Sequence, residues 1–199
     1  MTAWQESMFG AADGAADLSF SALVRHRLDD RSWVDVVPGW LHGHGELFDE
    51  LLRDAPWQHR QRWMYERKVD EPRLVAVFGD ELPPRVEQVQ AVLSGRYGVE
   101  LDSVLVNLYR DGRDSVAWHG DTVRKRLTDP VVATVSLGER RRFLLRRRGG
   151  GPTVLTLRAG EGDLVVMGGA CQHDWEHTVP KVASAGARMS VTLRHSAPA

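Results

Sequence analysis

His119 and Asp121 stand on either side of one glycine in "VAWHGDTVRKR" (116–126), and "CQHDWEHTVPK" (171–181) adds His173 and His177. In extended backbone, residues i and i+2 point the same way, so His119 and Asp121 can ligate one ion together. Two histidines and one carboxylate on one face of an octahedron leave three positions open, the arrangement that suits non-haem iron chemistry with oxygen. The third ligand must come from a later strand, and His177 is the candidate. By itself, H-x-D is also what a polar surface turn contains. Zinc is a competing reading, through Cys171, His173 and His177. That spacing lacks the paired short intervals of structural zinc and a fourth ligand, so Cys171 and His173 read as loop or packing residues.

"RMSVTLR" (188–194) carries a second chemical pattern. Strand alternation puts Arg188, Ser190, Thr192 and Arg194 on one side and Met189, Val191 and Leu193 on the other. The polar side is either a wet outer face or the lining of an interior. An interior would need anionic partners for two guanidinium groups, because an unpaired buried charge is very costly. A guanidinium fork matches a carboxylate in bidentate fashion, so a dicarboxylate suits this strand. "SVLVNLYRDG" (103–112) splits similarly, with Leu105, Asn107 and Tyr109 on one face. Asn107 and Tyr109 can pack near a strand end or supply directional hydrogen bonds to a ligand.

"ERRRFLLRRRGGG" (139–151) holds six arginines in nine positions, Arg140–Arg142 and Arg146–Arg148. Some of them can simply solvate a sheet face. As the one strong positive cluster on a chain of net charge −1, the run is also the best candidate for phosphate contacts, and Arg124, Lys125 and Arg126 can extend it.

These residues need a scaffold, and the pattern predicts an α+β chain. Residues 1–20 are rich in Ala, Gly and Asp and predict a flexible arm, with a single domain over 21–199. "SWVDVV" predicts a strand, "GELFDELLRDAP" a helix, "RWMYERK" and "RLVAVF" two strands, and "PPRVEQVQAVLSGRYG" a second helix with Pro84 in its first turn. Six short strands then follow: "SVLVNLY", "VVATVSL", "RRFLLR", "TVLTLR", "DLVVM" and "RMSVTLR". Helices first and many strands afterwards predict a jelly roll in which two sheets enclose a site. The 199 residues, 42% hydrophobic and 27% charged, suit a globular chain, and no run approaches the length of a membrane-spanning helix. With one cysteine and no secretory signal, a cytoplasmic setting is expected.

Taken in order, "NLYRDGRDSVAWHGD", "VVATVSLGERRRFLLR", "GDLVVMGGACQHDWEHTVPK" and "RMSVTLR" resemble the AlkB family of Fe(II)- and 2-oxoglutarate-dependent dioxygenases. The specific set is H-x-D, a histidine 56 residues after the aspartate, and two arginines 11 and 17 residues beyond that. "PRLVAVFGD" (72–80) resembles the family's substrate-side segment.

The resemblance implies a double-stranded β-helix (jelly roll) core with N-terminal helices packed on one sheet. It implies that His119, Asp121 and His177 bind iron and form the catalytic centre. Arg188 would pair with the distal carboxylate of 2-oxoglutarate, Arg194 would lie nearer the metal, and Asn107, Tyr109 and Ser190 would complete the co-substrate site. The implied reaction takes Fe(II), 2-oxoglutarate and O2 and oxidatively dealkylates a base in alkylated DNA or RNA, single-stranded or flipped, leaving succinate, CO2 and an aldehyde. A monomer is expected. Phe78, Tyr65, Arg73, Arg124 and Arg142 are the substrate-side candidates. Three departures bear on the substrate. Only 28 residues separate Phe78 from Asn107, "TVRKR" stands where repair members often carry acidic residues, and Ser190 replaces a frequent asparagine. The same chemistry on a protein or small molecule is therefore the alternative.

Overall fold

The computed structural model describes residues 16–64, 67–79, 81–121 and 127–195. A hairpin of β1 (Val24–Arg27) and β2 (Ser32–Val37) leads into helix α1 (His44–Asp54). β3 (Trp57–Met64) and β4 (Arg67–Val77) precede α2 (Pro84–Tyr97). The chain then runs through β5 (Ser103–Tyr109), β6 (Val116–His119), β7 (Val132–Gly138), β8 (Arg141–Arg147), β9 (Leu155–Ala159) and β10 (Leu164–Gly169). A single helical turn, α3 (Cys171–Asp174), leads to β11 (Trp175–Val179), and β12 (Arg188–Arg194) is last.

The strands form two antiparallel sheets with few helices. The larger has the order β1-β2-β10-β7-β12-β5-β4-β3 and the smaller β6-β11-β8-β9. β12, last in sequence, is central, hydrogen-bonded to β5 on one side and β7 on the other. Its alternation has two burial environments. Met189, Val191 and Leu193 join an apolar cluster with Leu47 and Leu51 of α1 and Val86, Val89 and Leu93 of α2. Each such side chain contributes about 1.5–3 kcal/mol of burial. The even face, beginning with Arg188, looks toward the smaller sheet, whose inner residues Phe143, Leu145 and Val179 belong to a second cluster.

Most local expectations have direct counterparts. β2, β5 and β12 have the bounds of "SWVDVV", "SVLVNLY" and "RMSVTLR". α2 begins on Pro84 and ends where Gly98, at φ 65°, adopts the left-handed conformation and returns its N–H to the Ser94 carbonyl. "RWMYERK" is not one strand, because β3 ends at Met64 and β4 begins at Arg67. β1, β6 and β11 were not anticipated. "VRHR" and "VAWH" are only four residues long, and "WEHTV" mixes charge into its alternation. The expected arm over 1–20 falls mainly outside the described residues. Its last part is attached, since Ala16 bridges Leu41 and Phe20 is buried, 5.7 Å from the Trp40 ring.

Candidate active site

β6 and β11 are adjacent antiparallel strands, and His119 and His177 are direct Cα partners across them. Between that pair and the next, Val116 opposite Val179, β6 has two residues and β11 one. This is a β-bulge, which re-aims side chains locally. Both Val116 and His119 consequently line the interior pocket, while Trp118 turns outward beneath the Arg146 guanidinium, 4.0 Å away. Asp121 follows just past the end of β6.

One ligand atom from each of His119, Asp121 and His177 lies within 4.8 Å of the others. His119 Nδ1 donates to the Ala117 carbonyl at 2.9 Å, because a carbonyl only accepts. That fixes the tautomer and leaves Nε2 with a free lone pair. His177 stacks on Phe143 at 5.0 Å, and burial depresses its pKa to about 3, so it is the neutral imidazole a metal requires. Its Nε2 faces Asp121 Oδ2 at 3.7 Å, which for a neutral ring is no ion pair but two donor atoms directed at a common point. Burial works against ionisation of Asp121. The Arg194 guanidinium outweighs it and holds the carboxyl below its usual value. Arg194 places Nε at 3.0 Å and Nη2 at 2.7 Å from Asp121 Oδ1, leaving Oδ2 toward the histidines. The donor set and its convergence fit a divalent iron with open positions.

Deeper in the same pocket lies Arg188, 1% exposed. Its Nη2 donates to Ser136 Oγ at 2.9 Å, and its Nη1 is buried with no hydrogen-bond partner among the described residues. Burial pushes this guanidinium below its ordinary value. An interior cation with an unmet donor fits the far carboxylate of a dicarboxylate, and 2-oxoglutarate has the second carboxylate to reach the metal end. Around it, Tyr109 lies under the Arg188 guanidinium at 5.2 Å, and Asn107 Nδ2 donates to Ser190 Oγ at 3.2 Å. The polar face of "RMSVTLR" is therefore the pocket lining, not a wet surface.

Arg73 joins this group. It lines the pocket, donates from Nε to Asn107 Oδ1 at 2.9 Å and pairs with Glu71 at 2.9 Å. Phe78 does not join it. Strand alternation puts Phe78 on the opposite side of the chain from Arg73, where it packs against the helix-side cluster. Tyr65 and Arg124 lie outside the described residues. Ser136 and Thr134 were missed, although "VATVSL" carries its only hydroxyls at alternate positions, and Thr134 Oγ1 meets Thr192 Oγ1 at 3.4 Å.

The arginine run is a different kind of feature from the phosphate surface expected of it. Arg140 pairs with Glu161 and Asp163, Arg146 with Glu176, and Arg147 with Asp29. Arg141 is buried and donates to the carbonyls of Asp111, Asp114 and Pro180. Arg148 donates to those of Gln172 and His173. Among the described residues, Arg142 alone of the six has no side-chain partner, and it is exposed opposite Arg158 on β9. The zinc alternative finds no support. His173 bonds the Leu127 carbonyl at 2.7 Å and Cys171 is buried in the second apolar cluster.

Residues 46–194 match the 2OG-Fe(II) oxygenase superfamily, and the chain belongs to it. Members of that superfamily use Fe(II), 2-oxoglutarate and O2, which the donor set above can accommodate. Its relatives are AlkB-type proteins. It is 32% identical over 189 residues to alpha-ketoglutarate-dependent dioxygenase alkB homolog 3 of Bos taurus, covering 82% of this chain and 66% of that one. It is 30% identical over 190 residues to DNA oxidative demethylase ALKBH2 of Arabidopsis thaliana, covering 74% of this chain and 60% of that one. The chain thus spans less than two thirds of the length of these curated relatives. The solved structure of OsALKBH1 superposes with a TM-score of 0.60 at 14% identity, over 86% of this chain and all of that one, which shows a common fold.

Proposed function

We propose that this chain is an Fe(II)/2-oxoglutarate dioxygenase that removes alkyl groups from the bases of nucleic acid. The observation that carries the oxygenase reading is one pocket holding both a convergent His119–Asp121–His177 set and a fully buried Arg188 with an unmet donor. The two sheets are then the faces of a double-stranded β-helix, with α1 and α2 packed on the larger one; their shared apolar cluster supports this. His119, Asp121 and His177 would hold the iron, which when bound would supply the coupling of 2-oxoglutarate decarboxylation by O2 to hydroxylation of an N-alkyl carbon, with the alkyl group lost as an aldehyde and the amine restored.

The chain's own residues prepare that reaction. Arg188 anchors the distal carboxylate, with Ser136 holding the guanidinium in place. Arg194 keeps Asp121 ionised and directed at the metal position. Asn107 is oriented by Arg73, whose Nε–H requires the amide oxygen and so turns the amide nitrogen toward Ser190. Phe143 and Val179 form an apolar wall beside His177 that restricts water around the reacting centre.

The substrate class rests on the names of the relatives, a dioxygenase of the alkB homolog 3 type and a DNA oxidative demethylase. One observation favours the alternative of a protein or small-molecule substrate: five of the six run arginines are committed to internal partners. The deciding experiment is a panel of methylated DNA, RNA and nucleosides. Succinate release and loss of the methyl group by mass spectrometry are both scored, with His119→Ala as control. Methyl loss from an oligonucleotide, absent in the variant, supports the proposal. Uncoupled succinate release with every member of the panel unchanged sinks the substrate reading and leaves the oxygenase.

A further inference from the structure

Gln172 is a buried polar side chain, 3% exposed, that the chemistry above leaves unused. Its Oε1 accepts the backbone N–H of Asp121 at 2.9 Å, while its Nε2 meets, among the described residues, only Met167 Sδ at 3.6 Å, a weak acceptor. The carbonyl of the same residue receives Arg148 Nη2 at 2.8 Å, and that of His173 receives Arg148 Nε at 2.8 Å. The Arg148 backbone N–H in turn donates to Asp174 O at 2.9 Å. Both arms of Arg148 therefore hold α3, and the α3 side chain holds the segment between two metal ligands. Gly120 sits in the crowded place where these parts meet. A Cβ there would collide with Arg148 Nη2 and come within 3.0 Å of the Gln172 carbonyl oxygen.

Asp121 needs such an anchor. A guanidinium fork prefers to take both oxygens of a carboxylate. Yet both Arg194 nitrogens bond Oδ1 and leave Oδ2 near His177. A carboxylate free to turn would chelate Arg194 and withdraw Oδ2 from the metal position. Its backbone N–H is held by Gln172 Oε1. We propose that α3 is a clamp on the ligand segment, with Gln172 as a positioning residue for Asp121 and Arg148 as the external pin that holds α3 in place. The H-x-D glycine is then explained by the close approach of the pin, and one arginine of the run serves the metal site. This rests on the assignment of iron to His119, Asp121 and His177.

The test is anaerobic Fe(II) titration of the full chain, read by the 2-oxoglutarate-dependent absorption band, with no nucleic acid present. Gln172→Met keeps the volume and removes the acceptor, and is expected to weaken iron binding roughly 10–100-fold, the range of outer-shell partners of metal ligands. Arg148→Ala changes an exposed side chain and leaves the core untouched, so it decides the matter should Gln172→Met not fold. It is expected to weaken binding several-fold while metal-free melting stays at the wild-type value. Wild-type iron affinity in Arg148→Ala and in a folded Gln172→Met overturns the clamp, while loss of the band in His119→Ala shows that the ligand assignment survives. A band that persists in His119→Ala removes the ligand assignment and the clamp with it.

Discussion

His119 and His177 face each other directly across β6 and β11, 58 residues apart in sequence and with ring centroids 4.3 Å apart. Asp121 completes the set from just beyond the strand end. Replacing His119 or Asp121 with alanine is expected to reduce succinate release to background and abolish the Fe(II)/2-oxoglutarate absorption band. Thermal melting without metal should stay close to wild type in His119→Ala and fall in Asp121→Ala, which strands the Arg194 guanidinium. A variant that retains turnover would exclude these residues as ligands.

Arg188→Met should separate stability from co-substrate binding. The metal-free, co-substrate-free protein carries an interior cation with an unmet donor, so methionine is expected to leave stability unchanged or raise it by about 1–3 kcal/mol. Differential scanning calorimetry would read that as a rise of roughly 2–4 °C per kcal/mol. The same change should raise KM for 2-oxoglutarate roughly 30-fold or more, since loss of one partner of a buried charge pair costs about 2 kcal/mol at the least. A marked drop in melting temperature with unchanged KM would contradict this assignment.

His177 makes stability pH-dependent in a definite direction. Its folded pKa of about 3 lies below the ordinary histidine value of 6.5, so the unfolded chain binds the extra proton between those limits. Stability is therefore full above about pH 6.5 and declines as pH falls toward 3. Denaturant unfolding at pH 7, 5.5 and 4.5 should show a slope shallower by about one proton in His177→Asn than in wild type. Equal slopes would mean the ring is not buried neutral.

The arginine run should divide into two behaviours. Arg141→Met strands three carbonyls and is expected to cost on the order of 3 kcal/mol in chemical denaturation. Arg142→Glu should change stability by less than about 0.5 kcal/mol. If the outer face of β8 and β9 meets phosphate, the double variant Arg142→Glu, Arg158→Glu will flatten the salt dependence of oligonucleotide binding. About 0.7 of a unit per lost contact is expected for a single strand. An unchanged slope would assign nucleic-acid contacts elsewhere.

Much of the site was legible because strand alternation is a local rule. Once "RMSVTLR" and "SVLVNLY" were read as strands, Arg188, Ser190, Thr192 and Arg194 had to share a side, as did Asn107 and Tyr109, and all of them line the pocket. H-x-D and the spacing to His177 and the two arginines carried the resemblance to the AlkB family, and the chain belongs to the 2OG-Fe(II) oxygenase superfamily. Whether the polar side of β12 faced water or an interior depended on the smaller sheet packing opposite it.

Other features had no local signature. The bulge in β6 arises from pairing with β11, and it alone allows Val116 and His119 to face the same pocket. Phe78 was a substrate-side candidate, but just beyond β4 it packs against the helix-side cluster, while Arg73 reaches Asn107. Six arginines in nine residues carry the same charge in any fold. Their partners Glu161, Asp163, Glu176 and Asp29 come from distant strands and turns. Alternation and motif spacing are properties of the chain, so the sequence by itself determined the candidate ligand set, the arginine pair and the family resemblance that they carry. Charge neutralisation, the Gln172–Asp121 hydrogen bond and the interior position of Arg188 are properties of non-local contacts, and only the tertiary structure decided them.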